Sequence, residues 1–152
     1  MLNKIKSFNP LSNFNKAIQT LKKKNIRPTK QRMILAKLLF EKGQRHMSAE
    51  NLYEEVKRDE RKISLATIYN TVHAFKEKGY LKEISINSNQ SYFDTNTSVH
   101  HHFFDEENNE LIDCNQNDID INFDNIKKNI SGKKINSIEV LVRIASDNHN
   151  QN

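Results

Sequence analysis

Three consecutive histidines, His100 to His102, are the residues of this sequence best suited to metal chemistry. On a predicted strand, His100 and His102 point to one face of the sheet and His101 points to the other. Two imidazoles on one face are the beginning of a transition-metal site. The candidate carboxylate ligands are Asp94, at the end of a predicted hairpin, and Asp113, on the next predicted strand. Nitrogen and oxygen ligands of this kind suit Fe(II), Mn(II) or Zn(II).

The other metal-ligating residue types add little to this pattern. His73 falls in the middle of a predicted helix, where a histidine is more often packed or solvated than a ligand, and His149 lies near the end of the sequence. The one cysteine, Cys114, cannot form an internal disulfide or a structural four-cysteine zinc site. A surface run of histidines without a function is the alternative explanation for residues 100–102.

The elements that must position these ligands differ between the two halves of the chain. Helical spacing of apolar residues, N-cap residues and a polar turn predict four helices and a hairpin in the first half. The first predicted helix covers residues 14–21, and Thr29, Ser48 and Ser64 each precede a further helix. The helix after Thr29 (about 30–42) is expected to bury Met33, Ile34, Leu35 and Leu38, the helix after Ser48 to bury Leu52 and Val56, and the helix after Ser64 (about 65–78) to bury Leu65, Ile68, Val72 and Phe75. The two predicted strands cover residues 81–86 and 90–94. This order predicts a winged helix-turn-helix, with a helical bundle bearing a hairpin as the alternative.

The charge of the chain is divided in the same way. Residues 1–82 carry 19 Lys and Arg against 7 Asp and Glu, whereas residues 83–152 carry 5 against 12. A basic segment followed by an acidic one indicates a polyanion-binding module joined to a second function. Because phosphate attraction supplies most non-specific DNA affinity, double-stranded DNA is the expected partner of the first half. Solvated basic helix faces are the alternative explanation.

The second half is predicted to be a small β-β-α-β unit. Its elements are strands over 100–104 and 110–114, a helix over 118–130 that Gly132 ends, and a strand over 135–145. Such a short segment buries little core by itself, so we expect a second copy of the chain to complete it. The fold class is therefore α+β, with a DNA-binding domain over 1–95 and a dimerisation and sensing domain over 96–152. Residues 1–12 and 147–152 are expected to be frayed.

Several short motifs, in order, resemble the ferric uptake regulator family over about residues 15–145. They are Arg27-Pro-Thr29-Lys-Gln31-Arg32, His46-Met-Ser48-Ala49-Glu50, Ser64-Leu-Ala66-Thr67-Ile-Tyr69-Asn70, Phe75-Lys-Glu-Lys-Gly79, Tyr92-Phe93-Asp94, the histidine run and Glu110-Leu-Ile-Asp113. The resemblance implies a winged helix followed by a dimerisation domain. It also implies a sensory metal site formed by His46, Asp94, His100, His102 and Asp113.

The resemblance adds a partial second metal site and a set of DNA contacts. The second site retains only His101 and Asp120, since the histidine expected near residues 136–137 is absent. The fourth helix is implied to enter the major groove of an AT-rich inverted repeat, and Arg27 a narrow minor groove. The implied DNA-binding residues are Arg27, Thr29, Arg32, Ala66, Thr67, Tyr69 and Asn70.

Departures from the family pattern bear on which signal is sensed. The paired Cys-x-x-Cys motifs of the family are absent. Together with the histidine run, this makes the chain most similar to the iron-response regulator branch. The resemblance to that branch implies that His100, His101 and His102 are candidate residues for binding haem. Aspartate at Asp94 and Asp113 is also similar to the peroxide-sensing branch. The resemblance therefore favours iron or haem as the signal, with peroxide, manganese and zinc as the alternatives.

The function implied is that of a dimeric, metal-responsive transcription regulator, usually a repressor, and not an enzyme. A metalloenzyme using His100, His102 and Asp113, or a metal-buffering protein, is the remote alternative. No run of apolar residues is long enough for a transmembrane helix, and no apolar stretch near the N-terminus indicates a secretory signal. We therefore expect a cytoplasmic protein with no membrane partner.

Overall fold

The computed structural model describes residues 10–23, 27–115, 118–120, 122 and 129–147. The chain divides into two compact units, Met1–Thr97 and Ser98–Asn152. Within the described parts of the chain, no helix combines the length and the hydropathy that spanning a bilayer requires.

The first unit contains the predicted helices and hairpin. Its elements are α1 (Pro10–Lys23), α2 (Lys30–Phe40), β1 (His46–Met47), α3 (Ala49–Arg58), α4 (Leu65–Glu77), β2 (Lys82–Asn87) and β3 (Gln90–Asp94). Thr29, Ser48 and Ser64 are the N-caps of α2, α3 and α4, and each side-chain oxygen accepts a hydrogen bond from a backbone N–H three residues later. These caps satisfy backbone donors that a helix start would otherwise leave unpaired, so the predicted helix starts are confirmed.

The core of the first unit forms where α2, α3 and α4 pack together. Phe40 and Phe75 meet edge to face with ring centroids 5.4 Å apart, and both side chains are fully buried. Leu52, Val56, Ile68 and Val72 are also fully buried, as predicted. The prediction that Met33 belongs to the apolar stripe of α2 is wrong. Its side chain is 43% exposed, since Met33 lies near the start of α2, before the buried residues that begin at Leu35.

A three-stranded sheet completes the winged helix. β3 lies in the middle, antiparallel to both β2 and β1. The two-residue strand β1 pairs His46 with Asp94 and Met47 with Phe93. Two residues carry no alternating pattern, so this strand was not expected. The helix-turn-helix and its β-wing nevertheless confirm the α+β winged-helix architecture.

The second unit contains a mixed sheet in the order β5-β4-β8. Its elements are β4 (His101–Asp105), β5 (Glu110–Cys114), β6 (Asn129–Ile130), β7 (Lys133–Lys134) and β8 (Leu141–Ile144). β4 is antiparallel to β5 and parallel to β8, while β6 and β7 form a separate hairpin. Phe104 and Leu111 are buried on one face of the mixed sheet, where the Arg143 guanidinium lies 5.8 Å from the centroid of the Phe104 ring.

Three expectations for less regular segments need correction. The predicted helix over 118–130 is wrong in its described parts: residues 118–120 are not helical, and 129–130 form β6. Ser131 and Gly132 both have positive φ, which fits a tight hairpin turn rather than a helix end. Residues 121 and 123–128 lie outside the described residues. The last strand begins at Leu141 and not at residue 135, because its pairing partner β4 begins at His101.

The chain ends also differ from the prediction. The expectation of a frayed start is wrong for residues 10–12, since α1 already begins at Pro10. Proline suits the first position of a helix, where its missing N–H would have no intrahelical partner. Residues 1–9, 148–152 and with them His149 lie outside the described residues.

The backbone at the end of α3 is strained at Glu60. Glu60 has φ 55°, and the N–H groups of Glu60 and Arg61 donate to the carbonyls of Lys57 and Val56. This Schellman arrangement favours glycine at the left-handed position. We therefore expect Glu60→Gly to raise the free energy of unfolding by about 0.5–1 kcal/mol in urea denaturation. Asp59→Gly, at a neighbouring residue with φ −80°, is the control and should not stabilise; equal gains at both positions would refute the explanation.

Candidate metal centre and nucleic-acid interface

Two imidazoles converge on one carboxylate in the second unit. The Nε2 atoms of His100 and His102 lie 3.0 and 3.5 Å from the same oxygen of Asp113, Oδ1. The two rings are 4.3 Å apart between centroids. His102 is directly opposite Asp113 in the pairing of β4 with β5, and its side chain is only 3% exposed. The backbone register therefore brings together three of the predicted ligands.

The side chain of His101 has a different environment. Its Nδ1 accepts a hydrogen bond of 3.2 Å from the backbone N–H of Val140, just before β8. This contact fixes Nδ1 as an acceptor, so a proton on the neutral ring belongs to Nε2. Because His101 is one residue away from His102 along a strand, the two side chains project to opposite faces. Asp120, the other predicted member of a second metal site, is exposed.

The first unit holds a second histidine–aspartate pair. His46 on β1 is directly opposite Asp94 on β3, and His46 Nε2 lies 3.3 Å from Asp94 Oδ2. Asp94 is 1% exposed, and its other oxygen accepts a hydrogen bond from the N–H of Asn96. The pairing of two neighbouring strands fixes both ligand types at one end of the wing sheet.

A half-buried cation, Arg45, anchors the segment that carries His46. The backbone N–H of Arg45 donates to Thr95 Oγ1, and the N–H of Thr95 donates to the carbonyl of Arg45. The Arg45 guanidinium donates to the Leu38 carbonyl at 2.8 Å and to Glu55 Oε2 at 2.7 Å. These contacts tie α2, α3 and the two strand ends together, so they hold His46 and Asp94 in register.

Glu55 is charged in this network. Burial by itself would raise the pKa of its carboxyl, but hydrogen bonds and charge from Arg45 and Lys42 outweigh burial and hold the pKa below its ordinary value of 4.5. Sequence reasoning did not find Arg45 or Glu55. Their pairing joins a loop to a helix ten residues later, and no local pattern signals such a contact.

The donor set can be tested against the metals that suit it. Imidazole nitrogen and carboxylate oxygen are the ligands preferred by Fe(II), Mn(II) and Zn(II), and two histidines with one carboxylate on a common point are typical of non-haem Fe(II) sites. Thiolate donors, which would select soft metals, take no part, since Cys114 lies opposite His101 on the other face of the β4–β5 pair. The residues of each unit therefore fit a hard or borderline divalent metal.

A cavity of about 450 Å³ adjoins the histidine run on the second unit. Burial, and secondarily the charge of Asp118, raise the pKa of the Cys114 thiol, so this cysteine is not a ready thiolate. The cavity is lined by Val99, His100, His101, Cys114, Asn115, Ile119, Ile135, Asn136, Ser137 and Ile138.

The predicted DNA-binding residues lie on α4 and at the start of α2. Ala66, Tyr69 and Asn70 are exposed on α4, with Thr67 half-buried beside them. Arg27 is exposed before α2, and its carbonyl accepts a hydrogen bond from the Arg32 guanidinium. Thr29 serves as the N-cap of α2. The Gln31 side chain donates to the Lys62 carbonyl, which ties the start of α2 to the loop before α4.

Known proteins share this sequence pattern and this fold. The peroxide-responsive repressor PerR of Staphylococcus aureus strain Mu50 is 34% identical over 97 residues, which are 64% of this chain and 65% of the relative's length. The chain thus spans somewhat less than two thirds of the curated relatives it matches. Among solved structures, the Vibrio cholerae ferric uptake regulator matches with TM-score 0.64 at 18% identity, covering 84% of this chain and 98% of that one.

A second structure and a family comparison agree with this result. The ferric uptake regulator of Pseudomonas aeruginosa with manganese matches with TM-score 0.59 at 20% identity, covering 84% of this chain and 96% of that chain. At such identities the structural likeness shows the fold alone. The sequence pattern of the ferric uptake regulator family matches residues 23–143, which are most of the sequence. The chain therefore belongs to the ferric uptake regulator family, whose members are DNA-binding, metal-binding transcription regulators and not enzymes.

Proposed function

We propose that this protein is a dimeric transcription repressor whose affinity for an AT-rich inverted repeat depends on a bound divalent metal ion. The observation that carries the proposal is the convergence of His100 and His102 on one oxygen of Asp113. A surface run of histidines without a function has no reason to place two imidazoles around a single carboxylate oxygen. The basic winged helix supplies the second requirement, a surface for DNA.

We assign the sensory site to the two histidine–carboxylate groups together. His46 and Asp94 of the first unit and His100, His102 and Asp113 of the second would hold one ion. Such an ion would favour one arrangement of the DNA-binding and sensing domains over others, to the extent that its affinity differs between them. His101 and Asp120 stay a prediction for a second site.

We assign DNA recognition to α4 and to the start of α2. Ala66, Thr67, Tyr69 and Asn70 would face the major groove, where asparagine pairs well with adenine and small apolar groups contact thymine methyls. Arg27 would enter a narrow AT-rich minor groove, whose negative potential attracts arginine. Thr29 and Arg32 would support this arm, in keeping with the hydrogen bond from Arg32 to the Arg27 carbonyl.

A second copy of the chain is the partner we propose for the sheet of the second unit. Phe103 is in register with Ile112 on β5 and Val142 on β8, so these three side chains share one face. On this face Ile112 is 40% exposed, and Ile144, in register with Asp105, is 38% exposed. Apolar side chains on a small sheet favour burial against another protein surface. A dimer with two-fold symmetry would read an inverted repeat.

The signal we favour is Fe(II) or Mn(II), with peroxide sensing through bound iron as a related possibility supported by the PerR relatives. The contact of His101 with Val140 separates this residue from the other two histidines, which favours a metal ion over a haem held by the whole run. Haem, as in the iron-response regulator branch, is the second candidate. The cavity beside His100, His101 and Cys114 is the observation in its favour.

Substitution of Tyr69 tests the recognition helix. We expect Tyr69→Ala to lower the affinity for an AT-rich inverted-repeat duplex about tenfold or more, because aromatic and polar contacts in the groove are lost. Dimerisation, measured by analytical ultracentrifugation, should be unchanged because Tyr69 is exposed on the first unit. Lys57→Ala removes an exposed cation on α3 and shows how much affinity is lost when only general attraction to phosphate is weakened. An unchanged gel shift with Tyr69→Ala would refute the assignment of α4.

A further inference from the structure

Tyr69 is held at its hydroxyl end by a carboxylate from another helix. The phenol of Tyr69 on α4 donates a hydrogen bond to Oε1 of Glu50, which lies in the first turn of α3. The hydrogen bond from Tyr69 lowers the pKa of Glu50, and the same contact raises the pKa of the tyrosine. Glu50 is therefore a charged acceptor at the working pH. A carboxylate on the proposed DNA-binding surface repels phosphate. Glu50 would therefore weaken DNA binding if it had no other role.

The ring of Tyr69 is held by a second contact. Its face stacks on His73, one turn further along α4, with centroids 6.2 Å apart and an angle of 17° between the planes. His73 in turn meets Phe93 edge to face at 5.6 Å, and Phe93 is fixed in the middle strand of the wing sheet. A tyrosine on an exposed helix face normally samples several rotamers. Here the ring and the hydroxyl are both restrained.

We propose that Glu50 is a positioning residue for DNA recognition, which fixes the Tyr69 phenol in the orientation that reads the operator. This inference rests on the proposed function, since it assumes that Tyr69 faces DNA. Preorganisation of one side chain removes the entropy cost of ordering it on binding. The benefit falls on the operator, where the phenol has a specific partner, and not on DNA of unrelated sequence. Glu50 would thus increase the preference of the protein for operator DNA while it lowers the affinity for DNA of any sequence.

The quantity to measure is the ratio of affinities for an AT-rich inverted-repeat duplex and for a scrambled duplex of the same composition, at one salt concentration with Mn(II). Removing a carboxylate strengthens binding to any DNA, and the ratio cancels this effect. Glu54→Ala, one turn further along α3, removes the same charge and is the matched control. We expect Glu50→Ala to lower the ratio about fivefold and Glu54→Ala to leave it unchanged. Glu50→Gln keeps an acceptor oxygen and should restore part of the ratio.

Two further measurements separate positioning from a structural role. In a Tyr69→Phe background, Glu50→Ala should cause no additional loss, because the two residues act through one hydrogen bond. An ultraviolet titration of the phenols, with Tyr69→Phe to assign the signal, should show a lower pKa for Tyr69 in Glu50→Ala. An unchanged ratio in Glu50→Ala, or an equal loss in the Tyr69→Phe background, would overturn the inference. A parent protein that does not distinguish the two duplexes would instead overturn the proposed function on which the inference rests.

Discussion

Replacing Asp113 with alanine is expected to lower the affinity for Mn(II) about a hundredfold. This substitution removes the carboxylate oxygen that both imidazoles approach. Even the loss of a residue that only supports a metal ligand lowers metal affinity about 10- to 100-fold, so the loss of a direct ligand should cost at least as much. Asp113 is 35% exposed, so the variant should fold. Isothermal titration calorimetry with Mn(II) measures the loss directly. His46→Ala should also weaken Mn(II) binding, although His46 is more than fifty residues away in sequence.

The control for this experiment is Glu110→Ala. Glu110 is an exposed carboxylate on the same strand, β5, opposite Asp105 and not opposite a histidine. Its removal changes the charge of the unit by the same amount and should leave Mn(II) affinity within about twofold of the parent, since distant surface charges are screened by salt. Equal losses in both variants would mean that net charge, and not ligation by Asp113, accounts for metal binding.

Replacing Glu55 with alanine is expected to lower the free energy of unfolding by about 2 kcal/mol. The Arg45 guanidinium is 23% exposed and would lose its carboxylate partner while it stays packed against the Leu38 carbonyl. Leaving a largely buried charge without its partner costs more than the pair contributes. Urea denaturation measures the change. Lys42, the other cation that contacts Glu55, is 61% exposed. Lys42→Ala should therefore lower the free energy of unfolding by well under about 1 kcal/mol.

The same carboxylate makes stability depend on pH in a defined direction. The pKa of Glu55 is lower in the folded protein than in the unfolded chain, so the unfolded chain binds the proton more readily. The stability contributed by Glu55 is therefore present above its ordinary pKa of 4.5 and is lost as the pH falls further. Glu55→Ala should show a shallower loss of stability in this acid range than the parent. Parallel pH profiles would contradict the role given to the Arg45–Glu55 pair.

The parts of the fold that were predictable are those set by local chemistry. Ser48 and Ser64 were recognised as N-caps because an oxygen-bearing side chain before an apolar helical pattern has one main use. The pairing of the histidine strand with residues 110–114 followed from a polar turn between two short apolar segments. The convergence of His100 and His102 on Asp113 then needed only the alternation of a strand and the register of its neighbour.

The parts that were missed depend on contacts distant in sequence. A strand as short as His46–Met47 exists only because β3 is there to pair with it. The hydrogen bond between Glu50 and Tyr69 joins residues on separate helices, and neither residue signals the other by spacing. For the same reason His46 entered the candidate site through a family resemblance and not through its own pattern. The helix predicted over residues 118–130 was wrong in its described parts, because apolar periodicity alone does not decide between a helix and a hairpin with a tight turn.

The most direct test of the central claim is the affinity for operator DNA with and without metal. The probe is an AT-rich inverted-repeat duplex, followed by fluorescence anisotropy in a chelator and in Mn(II), with haem as a separate arm. We expect at least about tenfold tighter binding in Mn(II) than in the chelator, and no such gain for Asp113→Ala. Equal affinity in the chelator and in Mn(II), or release by haem alone, would contradict a repressor controlled by a divalent metal at these residues.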